Sequence, residues 1–184
     1  MADIAPEWAP PRGEVAALVA IQSALADRPV AVAAARVLSH FGEHSIGWVA
    51  VSAIGALRQP AKRRAWLVAG AGAFTAHAAA VLIKRLVRRP RPHHPAVAVN
   101  VGTPSSLSFP SAHATSTTAA SILLARATGA PLPVMLVPPM ALSRVLLGVH
   151  YPSDVATGVA VGAAVAGVAA WVDGRLTRAA GASK

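Results

Sequence analysis

The first candidate functional residues along this chain are a basic segment and a histidine downstream of it. Residues 84–92 carry five positive charges within eight residues, a density that attracts anions. Farther along, Pro110 and Ser111 mark the start of a helix with His113 in its first turn. The free backbone N–H groups of such a helix start favour a bound anion. Taken singly, the basic segment could equally contact lipid headgroups, and Ser111 could be only a helix cap.

An acid and a second histidine follow in a third segment. His150 and Asp154 are four residues apart, so their side chains can meet on a helical turn, six residues after Arg144. An aspartate that holds one imidazole nitrogen fixes the tautomer and raises the basicity of the other nitrogen, as in the base half of a catalytic triad. The alternative is that Asp154 only caps the last helix. Ionisable residues inside a membrane are costly, however, and indicate a functional site.

The scarcity of acids restricts the mechanism. The chain has seven Asp and Glu residues, and Asp154 is the only one between Glu43 and Asp173. A two-metal hydrolase needs several carboxylate or histidine ligands, and Mg²⁺ prefers oxygen ligands. We therefore expect neither a metal site nor a cofactor, and the absence of cysteine excludes a thiolate nucleophile.

The composition indicates a membrane protein. Of the 184 residues, 54% are hydrophobic and 13% are charged, whereas a soluble domain has about 25% charged residues. The net charge of +10 is accompanied by only 4% aromatic residues, too few for base stacking, so nucleic acid is not an expected partner. The expected partners are membrane lipids and an anionic ligand. The first residues lack a basic n-region, so we predict no cleaved signal peptide.

Apolar stretches predict the helices that position these groups. We predict an all-α membrane bundle with about five transmembrane helices and amphipathic interfacial helices before them. As one domain, it comprises interfacial helices in 1–41, a transmembrane core in 42–174 and a basic tail in 175–184. The predicted spans are 42–58, 65–83, 110–125, 127–143 and 155–172.

A pair of small residues on the last span bears on helix packing. Gly158 and Gly162 form a GxxxG pair, which favours close packing inside one bundle, with a homo-oligomer face as the alternative.

The distribution of Lys and Arg bears on membrane orientation. These residues fall almost evenly on the two membrane faces, and three of those on the face of the chemical segments belong to the segments themselves. When these three are left out, the face with the chemical segments has fewer positive charges than the opposite face. The positive-inside rule then favours an extracytoplasmic site.

The three segments together resemble the type 2 phosphatidic acid phosphatase superfamily of membrane lipid phosphatases. The family pattern is K-x6-R-P, then P-S-G-H, then S-R-x5-H-x3-D. The matching residues are Lys84…Arg91–Pro92, Pro110–Ser111–Ala112–His113 and Ser143–Arg144…His150…Asp154. Order and spacing agree throughout, and the one departure is Ala112, where the family usually has glycine. The motifs cover residues 84–154, less than half of the chain.

The resemblance implies a metal-independent phosphatase and a role for each residue. His150 would be the nucleophile that forms a phosphohistidine, Asp154 would orient it, and His113 would protonate the leaving oxygen. The groups that would hold the phosphate are Lys84, Arg91, Ser111, Ala112 and Arg144. Such a site agrees with the physics of phosphoryl transfer, which depends mostly on positioning and on neutralising charge.

A narrower likeness within that family implies the substrate. Residues 38–45, 77–92 and 104–113 are similar to phosphatases that act on a polyprenyl-phosphate lipid carrying a ribose 5-phosphate, a precursor of cell-wall arabinan. Candidate sugar-side groups are Glu43, His44, His93, His94 and Asn100. Undecaprenyl diphosphate, phosphatidylglycerophosphate and phosphatidic acid are the alternative substrates. Two other classes are a vanadium haloperoxidase, which the hydropathy argues against, and a non-catalytic membrane scaffold with lipid-binding basic loops.

Overall fold

The computed structural model describes residues 9–182 and shows an all-α protein. Its helices are α1 Gly13–Leu25, α2 Pro29–Gly42, α3 Ile46–Arg58, α4 Arg63–Val87, α5 Ala112–Thr128, α6 Leu132–Leu146 and α7 Pro152–Ala182. Within the described residues, the only β-type pairing is an isolated bridge between Pro90 and Leu107. The first eight residues of the predicted segment 1–41 and the last two of the basic tail lie outside the described residues.

Two of the helices have the length and composition of membrane spans. They run over Pro60–Val87 and Pro152–Ala182, counting the short turn that leads into α4, and they contain the predicted spans 65–83 and 155–172. The helices α3, α5 and α6 have 13, 17 and 15 residues, at or below the short end of the length that crosses a hydrocarbon core. Length alone therefore identifies two of the five predicted spans.

The chain breaks sharply between α2 and α3. A short 3-10 turn, Glu43–Ser45, separates the two helices, and His44 and Ser45 have φ angles of 49° and 58°. Left-handed backbone of this kind cannot continue an α-helix. The first predicted span therefore begins at Ile46 rather than at residue 42. The break places Glu43 and His44 in a turn, where they can face a cavity.

Helix α5 occupies the centre of the bundle and packs against α4, α6 and α7. A methyl group added at Gly158 of α7 would lie 2.7 Å from the carbonyl oxygen of Ser111, and one added at Gly162 would collide with the carbonyl oxygen of Thr115. The GxxxG pair thus packs inside this bundle, the first of the two interpretations. On the other side of α5, the indole N–H of Trp48 donates to the Thr117 hydroxyl at 3.1 Å.

The long loop between α4 and α5 folds back on itself. The N–H of Ser108 donates to the carbonyl of Arg89 at 2.8 Å, and the N–H of Arg91 donates to the carbonyl of Ser106 at 3.2 Å. The hydroxyl of Ser108 adds a bond to the carbonyl of Pro90 at 2.9 Å. This pairing holds the two arginines in fixed directions on an otherwise irregular segment.

The two N-terminal helices cover that loop and the end of α6. Gln22 of α1 donates to the carbonyls of Ala98 and Leu146 at 2.6 and 3.0 Å, and accepts from the N–H of Ala98 at 3.0 Å. Arg36 of α2 donates to the carbonyl of Asn100 at 2.9 Å. Because backbone groups of an irregular loop need partners, these bonds make α1 and α2 part of the support for the functional end of the bundle.

Candidate active site

The three chemical segments of the sequence meet at a polar cavity of about 410 Å³. Lys84 comes from the end of α4, Arg91 from the loop after it, and His113 from the first turn of α5. Arg144 comes from the last turn of α6, and His150 from the turn before α7. Five separate pieces of chain therefore place three cations and two imidazoles on the wall of one cavity.

The turn that delivers His150 depends on a glycine. Gly148 follows the end of α6 and has a φ of 73°, a conformation that L side chains rarely adopt. A Cβ at this position would also collide with the carbonyl oxygen of Ala98. The turn sends the chain back toward Arg91, which donates to the carbonyl of Val149 at 2.6 Å. His150 is thereby held against the loop that carries the cations.

His150 and Asp154 form a buried pair. Nδ1 of His150 lies 3.6 Å from Oδ2 of Asp154, and their side chains are 3% and 0% exposed. The backbone N–H of Tyr151 donates to the same carboxylate oxygen at 2.8 Å. The separation of 3.6 Å is longer than a hydrogen bond, and catalytic contacts of this kind often tighten when substrate binds. Asp154 is placed to orient the imidazole and to offset positive charge that develops on it.

The contact with Arg91 identifies the free nitrogen of His150. Nη1 of Arg91 lies 3.3 Å from Nε2 of His150. A guanidinium only donates, so Nε2 is an acceptor and the ring proton is on Nδ1, toward Asp154. Burial lowers the pKa of His150 to about 3, with Arg91 and Arg144 acting in the same direction and Asp154 against it. At neutral pH the imidazole is therefore neutral and its Nε2 carries no proton, as a nucleophile requires.

The cations of the cavity have donors that the protein leaves unpaired. Arg144 is 1% exposed, and its Nε and Nη1 find no hydrogen-bond partner among residues 9–182. Lys84 is also buried and donates to the carbonyl of Leu107 at 2.9 Å, one bond for a group with three donors. Burial lowers the pKa of Arg91 to about 10, which leaves it charged at neutral pH. Buried, charged and unpaired donors are the property expected of an anion site.

Helix α2 positions His113. Nε2 of His113 lies 2.8 Å from the carbonyl oxygen of Ser39, which can only accept, so Nε2 carries a proton. Gly42, one turn farther along α2, packs directly on the ring. Neither Ser39 nor Gly42 is a candidate from the sequence, because each lies more than 70 residues from its partner and belongs to no local pattern.

The two residues that open α5 have different positions. Ser111 is fully buried behind the cavity wall, where its hydroxyl accepts the N–H of Ala114 at 3.4 Å as a helix cap. Its own N–H donates to the carbonyl of Asp154 at 3.0 Å, so this amide is already used. Ala112, in contrast, lines the cavity. The hydroxyl and the N–H of Ser111 both make bonds that fix the start of α5, and the predicted phosphate contact of Ser111 stays a prediction.

The candidate sugar-side groups separate into two sets. Glu43 and His44 line the cavity, on the turn between α2 and α3. His93, His94 and Asn100 do not line it, which corrects their grouping with the first two. His94 lies 3.0 Å from the carbonyl of Ala9, and the backbone of Asn100 bonds to Leu147, after α6, and to Arg36 of α2.

A further histidine of the cavity was not predicted. His77 of α4 lines the cavity, with its ring centroid 5.7 Å from that of His44, and its buried Nδ1 has no hydrogen-bond partner among the described residues. His77 lies seven residues before Lys84, two helical turns, and therefore on the same face of α4. That spacing is the sequence signal that could have identified it.

Replacing Gly42 with alanine is expected to lower kcat by about 10- to 100-fold while the bundle stays folded. The added methyl would lie 2.7 Å from Cδ2 of His113 and 3.2 Å from Cε of Met140, so the imidazole must shift, and small displacements of a catalytic group are costly. Phosphate release by purified protein measures the effect. Gly167→Ala is the matched control, because nothing lies within 4 Å of the added methyl. Unchanged kcat in Gly42→Ala would show that the ring position does not matter.

Comparison with known proteins agrees with this geometry. The profile of the PAP2 superfamily matches residues 64–178, and the chain belongs to this superfamily. It is 71% identical over 169 residues to the decaprenylphosphoryl-5-phosphoribose phosphatase of Mycobacterium tuberculosis, covering 92% of this chain and 96% of the relative. The protein of the same name from Mycolicibacterium smegmatis is 74% identical over 148 residues, covering 80% of this chain and 82% of the relative.

The fold is also that of a solved membrane enzyme. The crystal structure of a transmembrane PAP2-type phosphatidylglycerolphosphate phosphatase from Bacillus subtilis superposes with a TM-score of 0.69 at 21% identity, covering 87% of this chain and 86% of that one. The present chain is thus a phosphatase with a membrane-protein fold, and the family predicted from its three motifs is confirmed.

Proposed function

We propose that this phosphatase hydrolyses the phosphomonoester of decaprenylphosphoryl-5-phosphoribose, the substrate that the names of its relatives specify. The product would be decaprenylphosphoryl ribose, used in making cell-wall arabinan. The observation that carries the proposed chemistry is the pair of unpaired Arg144 donors in the same cavity as the unprotonated Nε2 of His150. A doubly charged phosphate on a sugar carbon would satisfy these donors and present its phosphorus to the nucleophile.

The reaction would proceed in two displacements. Nε2 of His150 attacks phosphorus, the bond from phosphorus to the sugar oxygen breaks, and that oxygen takes the Nδ1 proton of a His113 imidazolium, whose Nε2–H stays bound to the carbonyl of Ser39. A water molecule that returns its proton to His113 then attacks the phosphohistidine, which releases inorganic phosphate and restores His150. Asp154 offsets the positive charge on the phosphorylated ring.

The phosphate would be held by charge and by the start of α5. Lys84, Arg91 and Arg144 surround the space in front of His150 and would neutralise the phosphoryl oxygens. Ala112 lies at the positive end of α5, where backbone N–H groups favour an anion. Ser111 would contribute indirectly, by capping that helix.

The sugar would lie against Glu43, His44 and His77. All three line the cavity that contains the cations, and Nδ1 of His77 has no partner in the described part of the chain. A carboxylate and two imidazoles offer acceptors and donors for the hydroxyl groups of a ribose. A glycerophospholipid presents an ester or a single hydroxyl at the same place and would leave some of these groups unpaired, which is costly.

The polyprenyl tail would lie in the same bilayer as the helix bundle. We place five spans in the membrane, α3 to α7, with the cavity at the extracytoplasmic face, toward which the charge distribution leans. Leu82 and Leu86, beside Lys84 on α4, are 62% and 82% exposed, an apolar surface suited to lipid at the level of the cavity. The tail would lie along such a surface while its headgroup enters the polar site.

A panel of lipid phosphates tests the substrate. Purified protein in detergent is expected to release phosphate from decaprenylphosphoryl-5-phosphoribose with a kcat/KM about 100-fold above that for phosphatidic acid, phosphatidylglycerophosphate or undecaprenyl diphosphate, because only the first satisfies the sugar-side groups. A higher kcat/KM for any of the other three would refute the substrate and leave the phosphatase chemistry intact. Glu43→Gln should reduce the preference about tenfold by acting on the sugar lipid alone. His93→Gln, at a residue outside the cavity, is the control.

A further inference from the structure

The catalytic carboxylate has a second partner on the side away from His150. Nη1 of Arg89 donates to Oδ1 of Asp154 at 2.9 Å and to the hydroxyl of Ser153 at 2.7 Å. The guanidinium also lies over the ring of Tyr151, 4.0 Å from its centroid. Oδ1 is thus bound by Arg89 while Oδ2 faces the imidazole, so the carboxylate cannot rotate without losing a charged hydrogen bond.

Arg89 is in turn bound by an acid from the N-terminal helix. Nη2 of Arg89 donates to Oε2 of Glu14 at 2.6 Å, and Oε1 of Glu14 accepts the N–H of Ser153 at 2.8 Å. Glu14 lies in the first turn of α1 and does not line the cavity, and neither does Arg89. One carboxylate therefore joins α1, the loop after α4 and the start of α7.

The charges of this network determine what Asp154 can do. An arginine paired with Asp154 alone would cancel the negative charge on which His150 depends. With Glu14 added, the three charged groups carry a net charge of −1. Burial lowers the pKa of Arg89, but the bond to Glu14 and the charge of Asp154 raise it above its ordinary value, so Arg89 stays charged. The other charged groups that act on His150 are the cations Lys84, Arg91 and Arg144. The wall of the same cavity also holds the imidazole of His113 and the carboxylate of Glu43.

We propose that Glu14 and Arg89 are positioning residues for catalysis. Arg89 holds the carboxylate of Asp154 so that Oδ2 faces His150, and Glu14 balances the charge of Arg89 so that Asp154 keeps its effect on the imidazole. This inference rests on the phosphohistidine chemistry proposed above and not on the identity of the lipid. It assigns the N-terminal helix a part in turnover rather than only in packing.

Kinetics of two isosteric variants test the proposal. Glu14→Gln is expected to lower kcat about tenfold and to leave KM within about twofold, because it weakens charge stabilisation in the transition state without touching the phosphate. Arg89→Gln should lower kcat at least as much. Since Glu14 acts through Arg89, the double variant should be no slower than Arg89→Gln alone, a strongly non-additive result. Any phosphate lipid that the natural chain hydrolyses serves as substrate.

A packing variant separates positioning from structure. Gln22→Ala removes the bonds from α1 to Ala98 of the loop and to Leu146 of α6 but keeps the contact between Glu14 and Arg89 and all of the charges, and it should lower the melting temperature with kcat nearly unchanged. Unaltered kcat in Glu14→Gln, a rise in KM alone, multiplicative losses in the double variant, or an equal kcat loss in Gln22→Ala would each overturn the inference. No phosphate release by the natural chain from any lipid would instead refute the proposed function.

Discussion

Substitution of His150 by glutamine is expected to reduce phosphate release by about 10⁴-fold or more, to near background. Glutamine fills a similar volume and retains a polar group, so the 3% exposed site stays packed while the nucleophile is lost. Release of inorganic phosphate from the lipid measures the loss. The melting temperature of the variant serves as the control for folding.

Trapping of the phosphohistidine intermediate is a second test of the role of His150. Protein mixed with lipid labelled with ³²P on the phosphomonoester and quenched in alkali should carry label on His150, and the label should be lost in acid, as phosphoramidates are. His113→Gln should gain label more slowly and also lose it more slowly than the natural chain, because His113 is the acid of the first displacement and the base of the second, whereas His150→Gln should carry none. Label that persists in His150→Gln would assign the covalent step to another residue or remove it.

Replacement of Arg144 by methionine is the second large effect, a loss of about 10³-fold in kcat/KM. Two donors of this buried guanidinium have no partner in the described chain, and an anion in the transition state is the group they would stabilise most. The same substitution should leave the melting temperature unchanged or raise it, because a buried unpaired charge lowers the free energy of unfolding. Arg126→Met, on the exposed side of α5, should change neither quantity.

Opposite changes in activity and stability would distinguish a binding arginine from a structural one. If Arg144→Met unfolded the bundle, Arg144 would be holding helices together, and its unpaired donors would need another explanation. If kcat/KM stayed within tenfold of the natural value, the remaining two cations, Lys84 and Arg91, would suffice for phosphate.

The candidate site can be predicted best from the sequence where its functional groups lie close together along the chain. Arg144 lies six residues before His150, and Asp154 lies four residues after it, so one helix end and one turn connect all three. Residue type and spacing alone therefore predict that these groups lie close together. The seven-residue spacing between His77 and Lys84 is a local signal of the same kind, because it places both residues on one face of α4. The all-α class followed from apolar stretches, whereas the number of spans did not, because α3, α5 and α6 are short.

Residues that act across the whole length of the chain could not be predicted. Ser39 and Gly42 hold His113, and Glu14 reaches the start of α7, yet none has a neighbour in sequence that marks it. His93 and His94 were predicted as sugar-side groups, but neither lines the cavity, whereas residues 102–105 of the same loop do. Backbone bonds between residues 89–91 and 106–108 fold this loop back on itself. Where a loop folds back is decided by tertiary hydrogen bonds and not by composition.

The bond between Glu14 and Ser153 joins positions 139 residues apart, near the two ends of the bundle. Glu14 lies on α1 and Asp154 on α7, so the network that holds the carboxylate is complete only when the first and last described helices have packed together. A variant that stops before α7 keeps Lys84, Arg91 and Arg144 but lacks Asp154, and we expect it to release no phosphate.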